Sequence, residues 1–216
     1  MAERPIFVPI EKGTRLIAAV PITFTWHPGM APSQKKKNVV ALHEAAEKKG
    51  IAPLLEISSK SEREVGRRLS AFNLKIAVGG AEVPIECAYQ GSKVFENGGP
   101  FADLFFVTSR EAKGDPRLKH CGKLVGFNFQ GKSFPLSPTT VFYDWLYMMA
   151  LFPHRDWLKR LQKCAGFTDI EFNPDRSLNC QARSLATFIS LEKRNILDEA
   201  MQSFENFREL ETASSI

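Results

Sequence analysis

The chain has 216 residues, of which 44% are hydrophobic and 25% are charged, and its formal net charge is +5. This composition excludes general disorder, and the length suits a single domain with a sizeable core. The apolar stretches are too short to cross a bilayer and the N-terminus carries no signal-peptide core, so we expect a cytoplasmic protein without a membrane partner. The positive charge is compatible with a polyanionic partner such as nucleic acid.

The cysteines and histidines are scattered along the chain. None of them lies at the CxxC, CxxH or HxxxH spacing that is typical of zinc sites. We therefore expect no metal and no cofactor. The cysteines are expected to be reduced and mostly buried thiols, at Cys87, Cys121, Cys164 and Cys180.

The first part of the chain predicts short strands around one long helix. The strands are rich in β-branched and aromatic residues, and glycine or proline ends the helix. Ser61 and Glu64 form a capping-box pattern. In chain order we expect a strand at Pro5–Pro9, a strand at Ile22–Trp26, a helix at Gln34–Lys49, a strand at Leu54–Ile57, a helix after Ser61, and strands on both sides of Gly79–Gly80.

The second part of the chain is richer in helical signals. Prolines stand in the first turn of two predicted helices, at Pro84 and Pro138. Glycines follow the predicted helix ends at Asn97 and Cys164, and Pro153 ends the helix that begins at Pro138. In chain order we expect a helix at Pro84–Asn97, a strand at Leu124–Phe129, a helix at Pro138–Leu151, a helix at Asp156–Cys164, and two helices within Ala182–Leu210. The predicted fold class is α+β, predominantly α-helical with a small β-sheet.

The segment VPIECAYQGSKVFENGG carries the most chemistry. On a continuous helix from Pro84, the polar residues Glu86, Gln90, Lys93 and Asn97 fall at i, i+4, i+7 and i+11 and share one face. A glutamate, an amide and an amine together on one face are typical of a catalytic or binding site. The alternative is a solvated helix face stabilised by a Glu–Lys pair.

The run from Glu86 to Phe95 resembles the E-x-x-(Y/F)-Q-x-x-K-F helix of the NADAR superfamily. Upstream, Leu69–Asn73 is similar to the L-S-N-F motif of that superfamily. Further strings, among them SQKKKN, LEISSKS, GSKVFENGGPFADL and FTDIEFNPDRSLNCQARS, resemble the branch associated with DarT-type DNA ADP-ribosyltransferase toxins. The resemblance implies a NADAR fold in a single domain over residues 1–216, in which 1–60 elaborate a core of 61–210 that holds the catalytic motifs.

The resemblance also implies an activity. It predicts a metal-independent ADP-ribosyl glycohydrolase that cleaves the N-glycosidic bond between ADP-ribose and guanine in nucleic acid, and so acts as the antitoxin to a DarT-type toxin. The expected substrate is ADP-ribosylated guanine in single-stranded DNA or a nucleotide, and ADP-ribose is the product. Two alternatives stay open: an N-glycosidase on a phosphoribosyl intermediate of riboflavin biosynthesis, and a non-catalytic antitoxin that binds its toxin.

Cleavage of an N-glycosidic bond requires a carboxylate near the ribose and a proton source near the departing base. Glu86 is the first candidate for this work. Asp175 is the second carboxylate candidate, ahead of Asp169 and Glu171. Lys93 and Lys60 offer another route, in which an amine attacks the anomeric carbon to form a Schiff base, or else they bind the pyrophosphate as point charges.

The candidates for substrate binding are polar or aromatic residues in or near these motifs. The serine hydroxyls and asparagine amides are expected to hydrogen-bond phosphate, ribose or guanine. The aromatic rings are expected to stack on the base. The alternative is that the polar side chains cap helices and satisfy turns. Phe134 aligns with a tryptophan position of the superfamily. The candidates are Trp26, Ser58, Ser59, Ser70, Phe72, Asn73, Tyr89, Gln90, Phe134, Glu171 and Asn179.

Overall fold

A computed structural model describes residues 1–175 and 177–214 of the chain. It has the predicted α+β fold class, with short strands and more numerous helices. The strands are β1 (Ala2–Pro9), β2 (Ile17–Phe24), β3 (Leu54–Glu56), β4 (Lys75–Val78), β5 (Ala81–Pro84), β6 (Lys93–Phe95), β7 (Leu124–Phe129), β8 (Lys132–Phe134) and β9 (Gly166–Thr168). The helices are α1 (Pro32–Glu47), α2 (Glu64–Arg68), α3 (Ile85–Gly91), α4 (Ser109–Gly114), α5 (Arg117–His120), α6 (Val141–Leu151), α7 (Arg155–Leu158), α8 (Gln181–Lys193), α9 (Leu197–Ala200) and α10 (Phe204–Ser214).

The chain packs as two compact units. The first contains Met1–Ser70 and the described residues of His154–Ile216, and the second contains Ala71–Pro153. Within the part of the chain that the structure describes, no helix is long and apolar enough to span a membrane.

A four-stranded sheet, in the order β2-β1-β9-β3, organises the first unit. β1 pairs antiparallel with β2, whereas β9 runs antiparallel to β1 and parallel to β3. Helix α1 covers this sheet with Val39, Leu42 and Ala46, which recur at helical spacing and are buried against Ile6 and Ile22. Because β3 and β9 are parallel neighbours, their carboxyl ends meet at one edge of the sheet, where sites commonly form.

The second unit holds the β4–β5 hairpin and a three-stranded sheet in the order β6-β7-β8. The hairpin turns at Gly79 and Gly80, whose φ angles are 57° and 85°, as the glycine pair predicted. Helix α6 is buried around nearly its whole circumference, with Tyr147 and Phe142 among the largest buried side chains. The hairpin leads directly into α3, which carries Glu86.

The predicted helix over Pro84–Asn97 is wrong in its second half. Helix α3 ends at Gly91, and Lys93 begins strand β6. The cause is tertiary: β6 pairs with the distant strand β7, and Asn128 donates its backbone N–H to the carbonyl of Ser92. Lys93 and Asn97 therefore do not lie on the helix that carries Glu86.

The predicted capping box at Ser61 is also wrong. Helix α2 begins at Glu64 with Arg63 as its N-cap, and no side chain caps it. Ser61 belongs instead to the turn after β3, because its N–H donates to the carbonyl of Ser58. A capping box is present at α4, between Thr108 and Glu111.

Helix boundaries near the C-terminus also differ from the prediction. The helix expected over Asp156–Cys164 is the short helix α7, which continues as a 3-10 turn at Lys159–Lys163. The segment expected to hold two helices is divided into α8, α9 and α10.

Candidate functional site

Glu86 lies in the first turn of α3 and is buried, with 7% of its surface exposed. Its position is set by two backbone hydrogen bonds, from Ile85 N–H to Leu74 and from Glu86 N–H to Ala71. The bond to Ala71 ties the start of α3 to the motif segment Leu69–Asn73, and the bond to Leu74 ties it to the residue that follows this segment. A buried carboxyl group is costly unless it is hydrogen-bonded.

Gln90 is the immediate partner of this carboxyl group. Its Nε2 donates to Glu86 Oε1 over 2.9 Å, as the i, i+4 spacing predicts. Gln90 is itself buried, and its Oε1 accepts no hydrogen bond within the described residues. A buried acceptor without a donor is unfavourable, and a bound hydroxyl or N–H group would satisfy it.

Lys93 is a cation of the same unit whose charge interacts with that of Glu86. Its Nζ lies 4.9 Å from the ring centroid of Tyr89. Burial lowers the pKa of Lys93, the negative charge of Glu86 opposes the change, and the positive charge of Lys113 adds to it. A lysine with a lowered pKa reaches its neutral, nucleophilic form more readily than a solvated one.

An aromatic cluster holds Tyr89 in place beside Lys93. The ring of Tyr89 lies 5.5 Å from that of Phe127 and 5.2 Å from that of Tyr143. Phe134 is buried at 4.9 Å from Phe142, so it lies in the core of this unit. Phe72 is exposed by 39%, and Lys113 Nζ lies 5.6 Å from its ring centroid.

A second buried carboxyl group, Glu56, lies at the carboxyl end of β3 in the first unit. Its Oε1 accepts from Ser58 Oγ at 2.6 Å and from Ile170 N at 2.9 Å. Its Oε2 accepts from Thr168 Oγ1 at 2.6 Å. Glu56 also lines a cavity of about 240 Å³ together with His43.

His43 completes a short relay to this carboxyl group. Its Nε2 lies 2.8 Å from Thr168 Oγ1. Because the Thr168 hydroxyl donates to Glu56, it accepts from His43, so the proton of the ring is on Nε2. Burial lowers the pKa of His43 to about 4, and the ring is therefore neutral at neutral pH.

Asp169 is the acidic neighbour of Glu56, just beyond the end of β9. Burial and the negative charge of Glu56 raise the pKa of Asp169 to about 8, while a hydrogen bond from Gln181 opposes the change. Burial also raises the pKa of Glu56, but three hydrogen-bond donors stabilise its ionised form. Both pKa values are raised, so the pair retains a proton more readily than two separate carboxyl groups would, and the three donors to Glu56 favour Asp169 as its holder.

This raised pKa predicts a pH-dependent stability. Between about pH 4 and pH 8, folded Asp169 holds a proton that the unfolded chain releases, so the free energy of unfolding falls as pH rises, by at most about 1.4 kcal/mol per pH unit. Asp169→Asn removes the titration and should flatten this dependence. Denaturant unfolding at pH 5.5 and 8 measures it, with the exposed Asp175→Asn as control. Equal pH slopes for wild type and Asp169→Asn would contradict the assignment.

The comparison with known families now bears on these two clusters. The sequence profile of a family described as DarT1-associated NADAR antitoxin matches residues 2–216. The chain belongs to this family. The resemblance to the DarT-associated branch is thereby confirmed over residues 2–216. Membership supports an antitoxin role paired with a DarT-type toxin. No curated protein matches the chain.

Two catalytic candidates of this NADAR chain, Glu86 and Lys93, lie in the second unit together with Tyr89 and Gln90. Asn73 is exposed in the same unit. The other two catalytic candidates, Lys60 and Asp175, belong to the first unit. Asp175 is exposed and its N–H donates to Asn173.

The SSKS turn of this NADAR chain is built around Glu56. Ser58 is buried, and its hydroxyl donates to Glu56 and accepts from the backbone N–H of Lys60 at 3.1 Å. Ser59 is exposed and Lys60 is half-buried. Ser70 is buried, and its hydroxyl donates to the carbonyl of Arg67 at 2.8 Å. These hydrogen bonds of Ser58 and Ser70 satisfy groups within the local turns.

The remaining candidates lie on the surface of the first unit. Trp26 is half-buried beside Lys35, and Lys35 pairs with Glu171 at 3.4 Å. Asn179 is half-buried, and its carbonyl accepts from Ser177 at 3.2 Å. Within residues 1–175 and 177–214, no cluster of histidine, cysteine, aspartate and glutamate side chains fits a metal ion.

Sequence reasoning missed Glu56 and ranked Asp169 behind Asp175. The signal for Glu56 was present, since a glutamate directly follows the apolar run Leu54–Leu55 of a predicted strand. The link between Glu56 and Asp169 had no local signal, because it depends on the parallel pairing of β3 and β9.

Proposed function

We propose that the protein hydrolyses the N-glycosidic bond between ADP-ribose and guanine in DNA, and thereby reverses the modification made by a DarT-type toxin. The observation that carries the proposal is the buried Glu86, hydrogen-bonded to Gln90, with the partly desolvated amine of Lys93 in the same unit. Family membership supports the antitoxin role. The chemistry of the site is what favours hydrolysis over simple binding.

The reaction breaks the bond from the anomeric carbon to the guanine nitrogen. The electron pair leaves with the base, which takes up a proton, and positive charge develops on the distal ribose until water adds its oxygen. A buried carboxylate such as Glu86 stabilises this charge or removes a proton from the water. Gln90 orients one of its oxygens, and its own free acceptor suits a ribose hydroxyl.

The departing base takes up a proton, so the site also needs an acid–base group. Asp169 and Asp175 belong to the first unit, whereas Glu86 and Lys93 belong to the second. The proposal therefore gives this acid–base work to Glu86.

Lys93 is proposed as the nucleophile of a covalent route. Its neutral amine would attack the anomeric carbon and displace the base, and the opened sugar would form a Schiff base that water resolves. Its lowered pKa supports this use. Without that attack, Lys93 would serve as a point charge for the pyrophosphate.

One release assay tests the function and the route. The purified protein is incubated, in EDTA, with an oligonucleotide that carries ADP-ribose on one guanine, and free ADP-ribose is measured with and without borohydride. We expect release, and a reduced adduct on Lys93. Full activity without an adduct would contradict the covalent route. No release from a folded protein would contradict the function, and toxin pull-down or a phosphoribosyl substrate would then identify the alternative.

A further inference from the structure

A surface of the first unit combines one tryptophan with cations from two elements. Arg4 lies on β1, Trp26 follows β2 and Lys35 lies in the first turns of α1. The Arg4 guanidinium carbon is 5.5 Å and Lys35 Nζ is 5.8 Å from the Trp26 ring centroid. We name these three residues the Trp26 surface. Neither Glu86 nor Glu56 belongs to it.

The loop that carries Trp26 is held rigidly. Asn38 is fully buried, and its Oδ1 accepts from the His27 N–H at 2.7 Å while its Nδ2 donates to the His27 carbonyl at 2.9 Å. On its inner side Trp26 packs edge-on against Phe24 at 6.1 Å, on the core of this unit. The buried Asn38 amide therefore satisfies both backbone groups of the residue after Trp26 and holds the backbone there.

The charge around this ring is positive. Lys36 and Lys37 follow Lys35 and are exposed, and the first turn of α1 holds no acidic residue. Lys35 pairs with Glu171 at 3.4 Å. Within the described residues, Arg4 has no carboxylate partner, and its Nε has no acceptor. The surface therefore has more donors and positive charge than the protein itself neutralises.

A half-buried aromatic ring beside Arg4, which no carboxylate of the described residues neutralises, and Lys35, which pairs with Glu171, matches the chemistry of an unpaired nucleic-acid strand. Bases stack on aromatic side chains, and lysine and arginine neutralise the phosphates between them. An acidic protein would match the cations but would leave the ring without a planar partner.

We propose that the Trp26 surface binds single-stranded DNA through unmodified nucleotides. The choice of DNA over RNA rests on the proposed function; the stacking and the phosphate contacts do not. The surface would add affinity for the strand that carries the modification, independently of the chemistry at the modified guanine.

The test uses the full-length protein and a fluorescently labelled, unmodified DNA oligonucleotide of about 12 nucleotides, the length range of single-strand binding sites. Trp26→Ala should weaken binding about tenfold or more, because stacking of one base contributes on this scale. Trp157→Ala is the matched control, since Trp157 is 37% exposed and Arg160 also covers its ring, at 4.3 Å. The control should bind within about twofold of wild type.

A second variant keeps the test valid if Trp26→Ala does not fold. Lys35→Gln removes one cation of the Trp26 surface and should lower the slope of binding against salt concentration by about one ion. The same oligonucleotide as RNA and as duplex DNA should bind more weakly than single-stranded DNA. No binding by wild type, equal losses in the two tryptophan variants, or tighter RNA or duplex binding would overturn the proposal. Because unmodified DNA is used, this outcome is independent of whether the protein releases ADP-ribose.

Discussion

Replacement of Glu86 by glutamine is expected to slow ADP-ribose release by about 10²–10⁴-fold, the range that one positioned acid–base group contributes. The substitution keeps the side-chain volume, and the hydrogen bond from Gln90 Nε2 can still form to the amide oxygen. Only the charge and the exchangeable proton are lost. Single-turnover release measures the effect, and circular dichroism verifies the fold.

Glu82→Gln is the matched control for this experiment. Glu82 lies on β5, shortly before Glu86, but is exposed. It should retain the wild-type rate. If Glu86→Gln released ADP-ribose within a few-fold of wild type, Glu86 would not be the catalytic carboxyl group. If Glu86→Gln abolished ADP-ribose release but still protected cells against the toxin, an antitoxin that acts only by binding would be the better account.

Gly66→Ala is expected to destabilise the protein by at least about 2 kcal/mol, the scale of overpacking a tight core. A Cβ at this position would lie 2.0 Å from the Glu56 carbonyl oxygen and 2.3 Å from Ser61 Oγ. The first contact is with backbone, which cannot rotate away. The segment from Glu56 to Ser61 would have to move, and the turn that surrounds the Glu56 carboxyl group would move with it.

Gly114→Ala is the control for this prediction, since both glycines lie in short helices. A Cβ at Gly114 meets no atom within 4 Å. This variant should be neutral or slightly stabilised, because alanine restricts the unfolded chain. Urea unfolding of both variants compares them. Equal midpoints for Gly66→Ala and Gly114→Ala would show that α2 does not pack against Glu56 as described.

Short sequence patterns correctly predicted the elements that depend on residues close together in the chain. β7 occupies the predicted range Leu124–Phe129, and the Gly79–Gly80 turn joins two strands. The end of α3 was not predictable in this way. Helical periodicity continues through Lys93, but pairing between β6 and β7 draws that residue into a strand. A long-range hydrogen-bond ladder therefore overrides the local helical pattern.

In the candidate site, too, local contacts were predictable from the sequence and long-range contacts were not. The i, i+4 spacing of Glu86 and Gln90 predicted their contact, which depends only on one helical turn. Lys93 was predicted on the helix face of Glu86, but it lies in β6 beside the Tyr89 ring, because helix α3 ends at Gly91. The hydrogen bonds that link Glu56, Thr168 and His43 join three elements that are distant in sequence, so no local pattern predicts them.

The most direct test of the account is the identity of the bond that is cleaved. An oligonucleotide with ADP-ribose on one guanine is treated with the wild-type protein in ¹⁸O-labelled water. The masses of the oligonucleotide and of the released product are then measured by mass spectrometry. The account predicts an oligonucleotide with the mass of the unmodified strand, and free ADP-ribose that carries the label. An oligonucleotide that keeps the whole modification, or that retains a phosphoribosyl remnant on its guanine, would contradict it.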